Sequence, residues 1–220
     1  MKTTIFLFMS LLLIGMAACK KTDTTSDKFP PIDIDGNVYD TVRIGTQVWM
    51  KQNLKTTRYN DGTPIPTNLL NTAWETTTLG AYAVYDNIEN NDVVYGKLYN
   101  WYAVNTGKLA PKGWHVPTKA EFDVLINYFG SSSNVGCSLK STTLWSSPNF
   151  CASNLSGFTA LPGGSRGGIG ATYSEKGKQA SFWAAKGTFS TIYRLTYDDS
   201  NFLSFSAFET SGASVRCIKD

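Results

Sequence analysis

The sequence is short of charged residues and of histidine, and each shortage excludes a class of function. Charged residues make up 17% of the 220 residues, and the formal net charge is only +3. A charge this small does not produce the basic surface that nucleic-acid binding needs, so we expect no nucleic-acid partner. His115 is the single histidine, which excludes any site that requires two imidazole groups. The sequence also has no internal repeat with a period of ~20–50 residues, which excludes solenoids and propellers.

Long apolar runs are scarce as well, and the one at the start is predicted to be a signal. Lys2 precedes an apolar run at residues 5–16, which is shorter than the ~20 residues of a transmembrane helix. The segment MAAC (residues 16–19) is similar to the lipobox of bacterial lipoproteins, with Met16 where Leu is usual. The resemblance implies cleavage after residue 18 and attachment of diacylglycerol and an acyl chain such as palmitate to Cys19. The alternative is an ordinary secretory signal followed by a chance cysteine.

Residues 19–31 are interpreted as the lipidated cysteine and a flexible tether. Residues 20–31 (KKTDTTSDKFPP) have no apolar periodicity and end in two prolines, as is typical of a solvated linker. Lys20 stands where many lipoproteins retained in the inner membrane carry Asp. We therefore expect outer-membrane placement, lipid-anchored and exposed at the cell surface. Residues 32–220 remain for the folded domain, and their aromatic content is high enough to build a core.

The folded part is predicted to open with a β-hairpin. β-branched and aromatic residues dominate residues 38–44, and Gly45-Thr46 separates them from residues 47–50. Glycine at the first of two central positions is typical of a type II′ turn. The aromatic segment at residues 98–104 is predicted to be a short buried helix.

One helix is predicted clearly, and strands are expected after it. Thr118 and Glu121 have the spacing of a capping box, and Gly130 stands where a helix commonly ends. Between them, apolar residues recur with helical spacing and make one face: Phe122, Leu125, Ile126 and Phe129. From Cys137 onward, short apolar runs alternate with turn residues, which indicates antiparallel strands with surface loops.

Five blocks of the sequence, taken together, resemble the Fibrobacter succinogenes major paralogous domain of bacterial surface lipoproteins. In order they are VRIGTQVWMKQNLKTTRYNDG (residues 42–62), YGKLYNWYAV (95–104), LAPKGWHVPTKAEFDVL (109–125), SGFTALPGGSRG (156–167) and SVRCIKD (214–220). The resemblance covers residues 33–220. It implies an α+β fold, a single C-type-lectin-like domain with small twisted antiparallel sheets, a few helices and long loops. That fold is similar to the one of formylglycine-generating enzymes.

The cysteines do not support the chemistry of those enzymes. Formylglycine-generating enzymes use a pair of active-site cysteines with copper, and no second cysteine stands at a matching motif here, so we expect no cofactor. Cys137 and Cys151 flank one loop, and in an oxidising compartment we predict a disulfide between them. Cys217 is then left as a buried free thiol that packs as a small hydrophobic residue.

Single residues offer two further candidates. His115 is interpreted as a structural residue beside Trp114 that ties a loop by a hydrogen bond, and the alternative is a general base. The glycine-rich segment at residues 163–170 is interpreted as a mobile or tightly turned surface loop, because it lacks the Gly-Lys-Ser/Thr ending of a phosphate-binding loop. Within it, Arg166 is expected to pair with a buried carboxylate or carbonyl.

Binding sites are expected in loops. Trp74 and Trp145 lie among Thr and Ser residues, where exposed rings would stack on sugars or anchor a protein partner; packing beneath the loop is the alternative. The oxygen-rich segments at residues 86–92 and 198–201 would suit Ca²⁺ only weakly, since solvated turns explain them equally well. We therefore predict no metal site and no catalytic residue.

These observations predict a non-enzymatic, surface-anchored lipoprotein that recognises a glycan or a protein. The reason is that the sequence shows no cluster of acid and base residues and no histidine-based metal site. Two alternatives stay open, namely an extracellular hydrolase that acts on polymers and a structural component of the envelope.

Overall fold

The computed structural model describes residues 30–220 and confirms the α+β class. The helices of this part are α1 (Asn71–Thr76), α2 (Glu89–Tyr95), α3 (Trp101–Asn105), α4 (Lys119–Tyr128) and α5 (Val135–Leu139), with a 3₁₀ turn at Tyr85–Asn87. The strands are β1 (Thr41–Ile44), β2 (Gln47–Met50), β3 (Tyr82–Ala83), β4 (Leu98–Tyr99), β5 (Trp114–His115), β6 (Gly163–Arg166), β7 (Tyr173–Lys176), β8 (Gln179–Ala184), β9 (Thr191–Thr196), β10 (Leu203–Ser206) and β11 (Ile218–Lys219).

A four-stranded antiparallel sheet brings the two ends of the domain together. Its order is β1-β2-β11-β5, so the last strand lies between the opening hairpin and β5. The hairpin is as predicted, with Ile44 opposite Gln47 and a two-residue turn between them. Gly45 has a φ of +59°, and this positive φ at the first central position fits a type II′ turn.

The larger sheet has five strands in the order β10-β9-β8-β6-β7. Its neighbours are antiparallel except for β6 and β8, which are parallel. Strand β6 corrects the prediction of a surface loop at residues 163–170, since three of the four residues of β6 are buried. Gly164 explains the misreading, because it has a φ of +69° and a Cβ there would lie 2.5 Å from the carbonyl oxygen of Ser174. The glycine permits close packing inside the sheet, although the local sequence indicates a turn.

Helix α4 covers one face of the larger sheet. Its predicted capping box is present, because Thr118 Oγ1 accepts from the backbone N–H of Glu121 and the Glu121 carboxylate accepts from the backbone N–H of Thr118. Phe122 on this helix is fully buried and stacks on Tyr193 of β9 with ring centroids 4.4 Å apart. Aromatic stacking of this kind adds to the hydrophobic effect, and it fixes the helix on the sheet.

Two local predictions need correction. The helix expected from residue 98 begins only at Trp101, since Leu98 and Tyr99 form β4 and Asn100 caps the helix by accepting from the N–H of Ala103. Antiparallel strands were expected throughout the chain from residue 137, but α5 occupies residues 135–139. For α3, the side-chain cap from Asn100 explains the later start, because asparagine is a strong N-cap residue.

The disulfide between Cys137 and Cys151 is confirmed, with Cα atoms 5.0 Å apart. It joins α5 to a turn rather than two strands. Closing a loop of this length stabilises the fold by about 3 kcal/mol in the chain-entropy account. Cys217 is a buried free thiol, as predicted, and burial raises its pKa well above the ordinary value. It is therefore packed as an unreactive hydrophobic group.

Candidate functional site

The two faces of the larger sheet have different surroundings. Side chains alternate between the faces along a strand, so Phe182 and Tyr193 point into the core beneath α4. Ser181 is opposite Arg194 in the register of β8 and β9. These two residues and Gln179 consequently share the second face, where the strands carry polar side chains.

A pocket of about 200 Å³ opens on this second face, and we call it the sheet pocket. Its floor carries Gln179, Ser181 and Arg194, and its wall comes from residues 206–213, including Phe208. Sites for drug-sized ligands measure roughly 300–1,000 Å³. The sheet pocket therefore has room for one ring or one terminal group of a larger ligand.

The floor of the sheet pocket is polar and ordered by internal contacts. Gln179 Nε2 donates a hydrogen bond to Ser181 Oγ at 2.8 Å, and both side chains are buried. Arg194 packs its guanidinium over the ring of Phe205, 4.5 Å from the ring centre. The pocket floor thus combines an amide, a hydroxyl and a guanidinium, which are the groups that bind sugar hydroxyls and anions.

Phe208 lines the sheet pocket, and Phe205 lies against Arg194 of its floor. Phe205 and Phe208 are 39% and 59% exposed, and β10 places Phe205 opposite Ile192 of β9. Exposed aromatic rings beside polar groups offer a flat apolar surface together with hydrogen-bonding partners. This combination suits a ligand that is itself apolar on its faces and polar at its edges, as a sugar ring is.

Arg166 supports the pocket from the neighbouring strand β6. Its guanidinium donates to the carbonyls of Ala171 and Leu69 and to Asn71 Oδ1, which agrees with the expectation of a buried carbonyl partner. It also lies 4.3 Å from the centre of the Trp74 ring. Burial lowers the pKa of Arg166 below its ordinary value. The hydrogen-bond acceptors are all neutral, so the positive charge of Arg166 is not cancelled by them.

A sequence model of the Fibrobacter succinogenes major domain family matches residues 42–219. The chain belongs to this family. The match begins in β1 and ends in β11, so it includes every strand and loop of the sheet pocket. No curated protein and no solved structure matches the chain. The family name states no activity, and the C-type-lectin-like relationship stays a prediction.

The rings of Trp74 and Trp145, which would have to be exposed to bind a ligand, are buried. Trp74 belongs to α1 and is fully buried, and Trp145 is 8% exposed. Arg166 covers the first ring, while the second donates from Nε1 to the carbonyl of Ala160 at 3.0 Å. Neighbouring Thr and Ser residues indicated loops, but contacts with distant parts of the chain bury both rings. The two side chains therefore present no ring face to a ligand.

His115 is tied down on both sides. Its Nδ1 lies 2.7 Å from Asp220 Oδ1, and its Nε2 lies 2.7 Å from Glu121 Oε1. Burial raises the pKa of Glu121, but hydrogen bonds from Thr118 and His115 outweigh it and hold that pKa below its usual range. Because each ring nitrogen faces a carboxylate, neither is free to take a proton from a nucleophile. This geometry favours the structural interpretation of His115.

Residues 163–167 (GGSRG) fit the Gly-x-Ser-x-Gly pattern of hydrolases, yet the structural context differs. A nucleophile elbow requires a sharp turn from strand to helix, whereas Ser165 lies within β6 and pairs with Ser174 of β7. Ser165 also makes no hydrogen bond to His115, whose nitrogens contact carboxylates. The match to the pattern therefore does not bring a triad together in residues 30–220.

The acidic loops are used within the fold. Asp92 forms an ion pair with Lys97, and Asp199 accepts from the side chain and backbone of Asn201. Near the start, Asp33 accepts from the backbone N–H groups of Asp35 and Asn37. In residues 30–220, no three His, Cys, Asp or Glu side chains are arranged to hold a metal ion.

The predicted membrane attachment concerns residues outside the described part. Cys19, the predicted lipid attachment site, precedes residue 30 and so lies outside it. Among residues 30–220, no helix has the length and apolar composition of a membrane span.

Sequence reasoning missed the sheet pocket, although a signal for it exists. In β8 the sequence QASFWA alternates polar and apolar residues at its start, which marks Gln179 and Ser181 as one face. In β9, Arg194 interrupts an apolar run, and it lies two residues after Ile192 and so on the same face of the strand. Counting the two-residue period would have placed the polar groups of each strand on one side. The sequence does not predict that β8 pairs with β9 in the register that puts these polar groups on the same face of the sheet.

Proposed function

We propose that this protein is a non-enzymatic recognition module, anchored by lipid to the bacterial outer membrane, that binds a glycan in the sheet pocket. The observation that carries the proposal is a polar floor bordered by exposed rings. Gln179 and Arg194 offer hydrogen-bonding groups, the fully buried Ser181 orders Gln179 by accepting from its Nε2, and Phe208 offers an exposed apolar face. Glycan sites combine such groups because a sugar ring has polar edges and apolar faces.

A protein ligand is the alternative occupant, and the pocket dimensions favour the glycan. A protein interface of standard size buries roughly 800 Å² on each partner around a central hot spot. The sheet pocket is a small concave site of about 200 Å³, which suits one ring better than a broad surface. A hydrolase with His115 as its general base is disfavoured by the carboxylates at both ring nitrogens, and a purely structural role would not explain a polar pocket.

Replacing Phe208 with Ala is expected to weaken glycan binding about tenfold, equivalent to ~1.4 kcal/mol, because the exposed ring no longer packs on the sugar. The measurement is a glycan array followed by calorimetry, using the mature chain (residues 19–220) with Cys19→Ser. Phe150→Ala is the matched control, since Phe150 is 51% exposed and lies outside the sheet pocket. Equal loss of binding in both variants, or none in either, would contradict the proposed site.

Replacing Cys19 with Ala is expected to prevent lipid attachment and signal cleavage. The full-length precursor should then accumulate and no longer incorporate labelled palmitate, whereas the wild-type chain should be processed in a globomycin-sensitive way. Several acyl chains are needed for stable anchoring, because each buried CH₂ contributes about 0.8 kcal/mol. Processing of Cys19→Ala at the normal site would indicate an ordinary secretory signal instead.

A further inference from the structure

We propose that the sheet pocket selects a sugar that carries a carboxylate, and that Arg194 is the group that binds this carboxylate. The inference rests on the proposed glycan recognition and narrows it to one ligand class, the uronic acids. Three features support it, namely an unpaired donor, an uncompensated charge and the shape of the guanidinium group.

The first feature is the unpaired donor. Arg194 Nε is buried and has no hydrogen-bond partner among residues 30–220. Its guanidinium contacts the ring of Phe205 at 4.5 Å, and a ring face cannot replace an acceptor oxygen. A buried donor without a partner destabilises the fold by about 1–3 kcal/mol, and by more for a charged group. A carboxylate that meets the Arg194 guanidinium would therefore supply the acceptor that this side chain lacks among residues 30–220.

The second feature is the charge of the pocket. Two of the lining side chains, Arg166 and Arg194, are cationic, and within residues 30–220 no Asp or Glu lines the pocket. Arg166 directs its hydrogen bonds to two carbonyls and to the amide oxygen of Asn71. Neither guanidinium forms an ion pair in this part of the chain. In a concave site the field of such charges is concentrated, so the pocket attracts an anion.

The third feature is shape. A guanidinium is a planar fork that matches the two oxygens of a carboxylate in a bidentate pair. Ser181 lies opposite Arg194 in the register of β8 and β9, and Gln179 lies two residues before it. A ring whose carboxylate meets Arg194 thus lies beside the amide of Gln179 on the floor, with Phe208 at the edge. This arrangement suits a uronic acid better than an isolated phosphate or a hydrophobic ligand.

The test compares uronate oligosaccharides with their methyl esters, which have the same rings but no charge. Oligomers of galacturonate, glucuronate and mannuronate are titrated by calorimetry into the mature chain with Cys19→Ser. We expect at least one acid to bind at least tenfold more tightly than its ester. Arg194→Gln should remove this preference, so that the acid and its ester bind with equal affinity. Arg194→Lys keeps the charge but loses the fork, and it should recover only part of the preference.

The control is Arg43→Gln, which makes the same charge change on an exposed arginine of β1 and should keep the full preference for the acid. Urea unfolding of each variant verifies that the domain is folded. If acid and ester bind equally, the carboxylate assignment is overturned while glycan recognition in the pocket stands. If none of the uronates binds, the inference is overturned as well. The proposed function itself fails only if the wider array also shows no glycan bound through Phe208.

Discussion

Replacing Arg216 with Met is expected to destabilise the domain by about 3–5 kcal/mol, because it removes a charged donor on which several buried acceptors depend. Arg216 is fully buried. Its Nε and Nη2 donate to Asn53 Oδ1 at 3.0 and 2.7 Å, and Nη1 donates to the carbonyls of Met50 and Phe158. Met fills a similar volume but has no donor, so these three oxygens would be left buried without partners.

The charge of Arg216 is held by dipoles and rings instead of a carboxylate. Its guanidinium lies 4.5 Å from the ring centre of Phe158 and 5.5 Å from that of Phe182. Burial lowers its pKa to about 9, which leaves it protonated at neutral pH. The residue connects the β2 end of the four-stranded sheet, through Met50, to the aromatic core beneath α4. We therefore expect its loss to weaken both sheets together.

Urea unfolding followed by tryptophan fluorescence measures the effect. Arg43→Met is the control, because Arg43 is exposed on β1 and surface changes of this kind usually stay within ±0.5 kcal/mol. Arg216→Lys should lie between the two, since it restores charge and one donor but not the fork. A stability of Arg216→Met equal to the control would show that the oxygens find other partners and would contradict this account.

Elements encoded by neighbouring residues could be predicted, and elements made by distant pairs could not. The hairpin at Gly45 and the capping box at Thr118 depend on a few adjacent residues, and both are present. The disulfide was also predictable, because only Cys217 competed for pairing once Cys19 was assigned to lipid. Strand β6 was not predicted because its glycine-rich sequence is typical of a turn. Only its pairing with β7 and β8 makes it a strand.

In the candidate site, too, features that depend on neighbouring residues could be predicted, and contacts between distant parts of the chain could not. The sequence and its family resemblance predict a buried carboxylate or carbonyl partner for Arg166, and the carbonyls of Ala171 and Leu69 are that partner. Of the two interpretations of Trp74, the exposed ring is contradicted and packing beneath the loop is observed, because distant parts of the chain, including Arg166, bury the ring. The sequence does not identify Arg194, because the surroundings that leave its Nε without a partner form only when three strands and residues 206–213 come together.

Replacing Phe122 with Ala is expected to cost about 3–5 kcal/mol, since it empties the centre of an aromatic cluster. The Phe122 ring is fully buried. Its centroid lies 5.4 Å from that of Trp49, 4.4 Å from Tyr193 and 5.7 Å from Phe202. The cavity would remove the ring stacking between α4 and β9, and neighbouring rings anchored in two sheets cannot collapse into it fully.

Val124→Ala on the same helix is the matched control, because Val124 is 47% exposed and should cost less than 1 kcal/mol. Differential scanning calorimetry of both variants measures the difference, and a small effect for Phe122→Ala would show that the cluster repacks. The comparison also bears on the sheet pocket. Tyr193, which stacks on Phe122, is the neighbour of Arg194 in β9 and points to the opposite face. If helix and sheet unfold as one unit, ligand bound at Arg194 should raise the melting temperature of both variants, since binding to the folded state stabilises the whole unit.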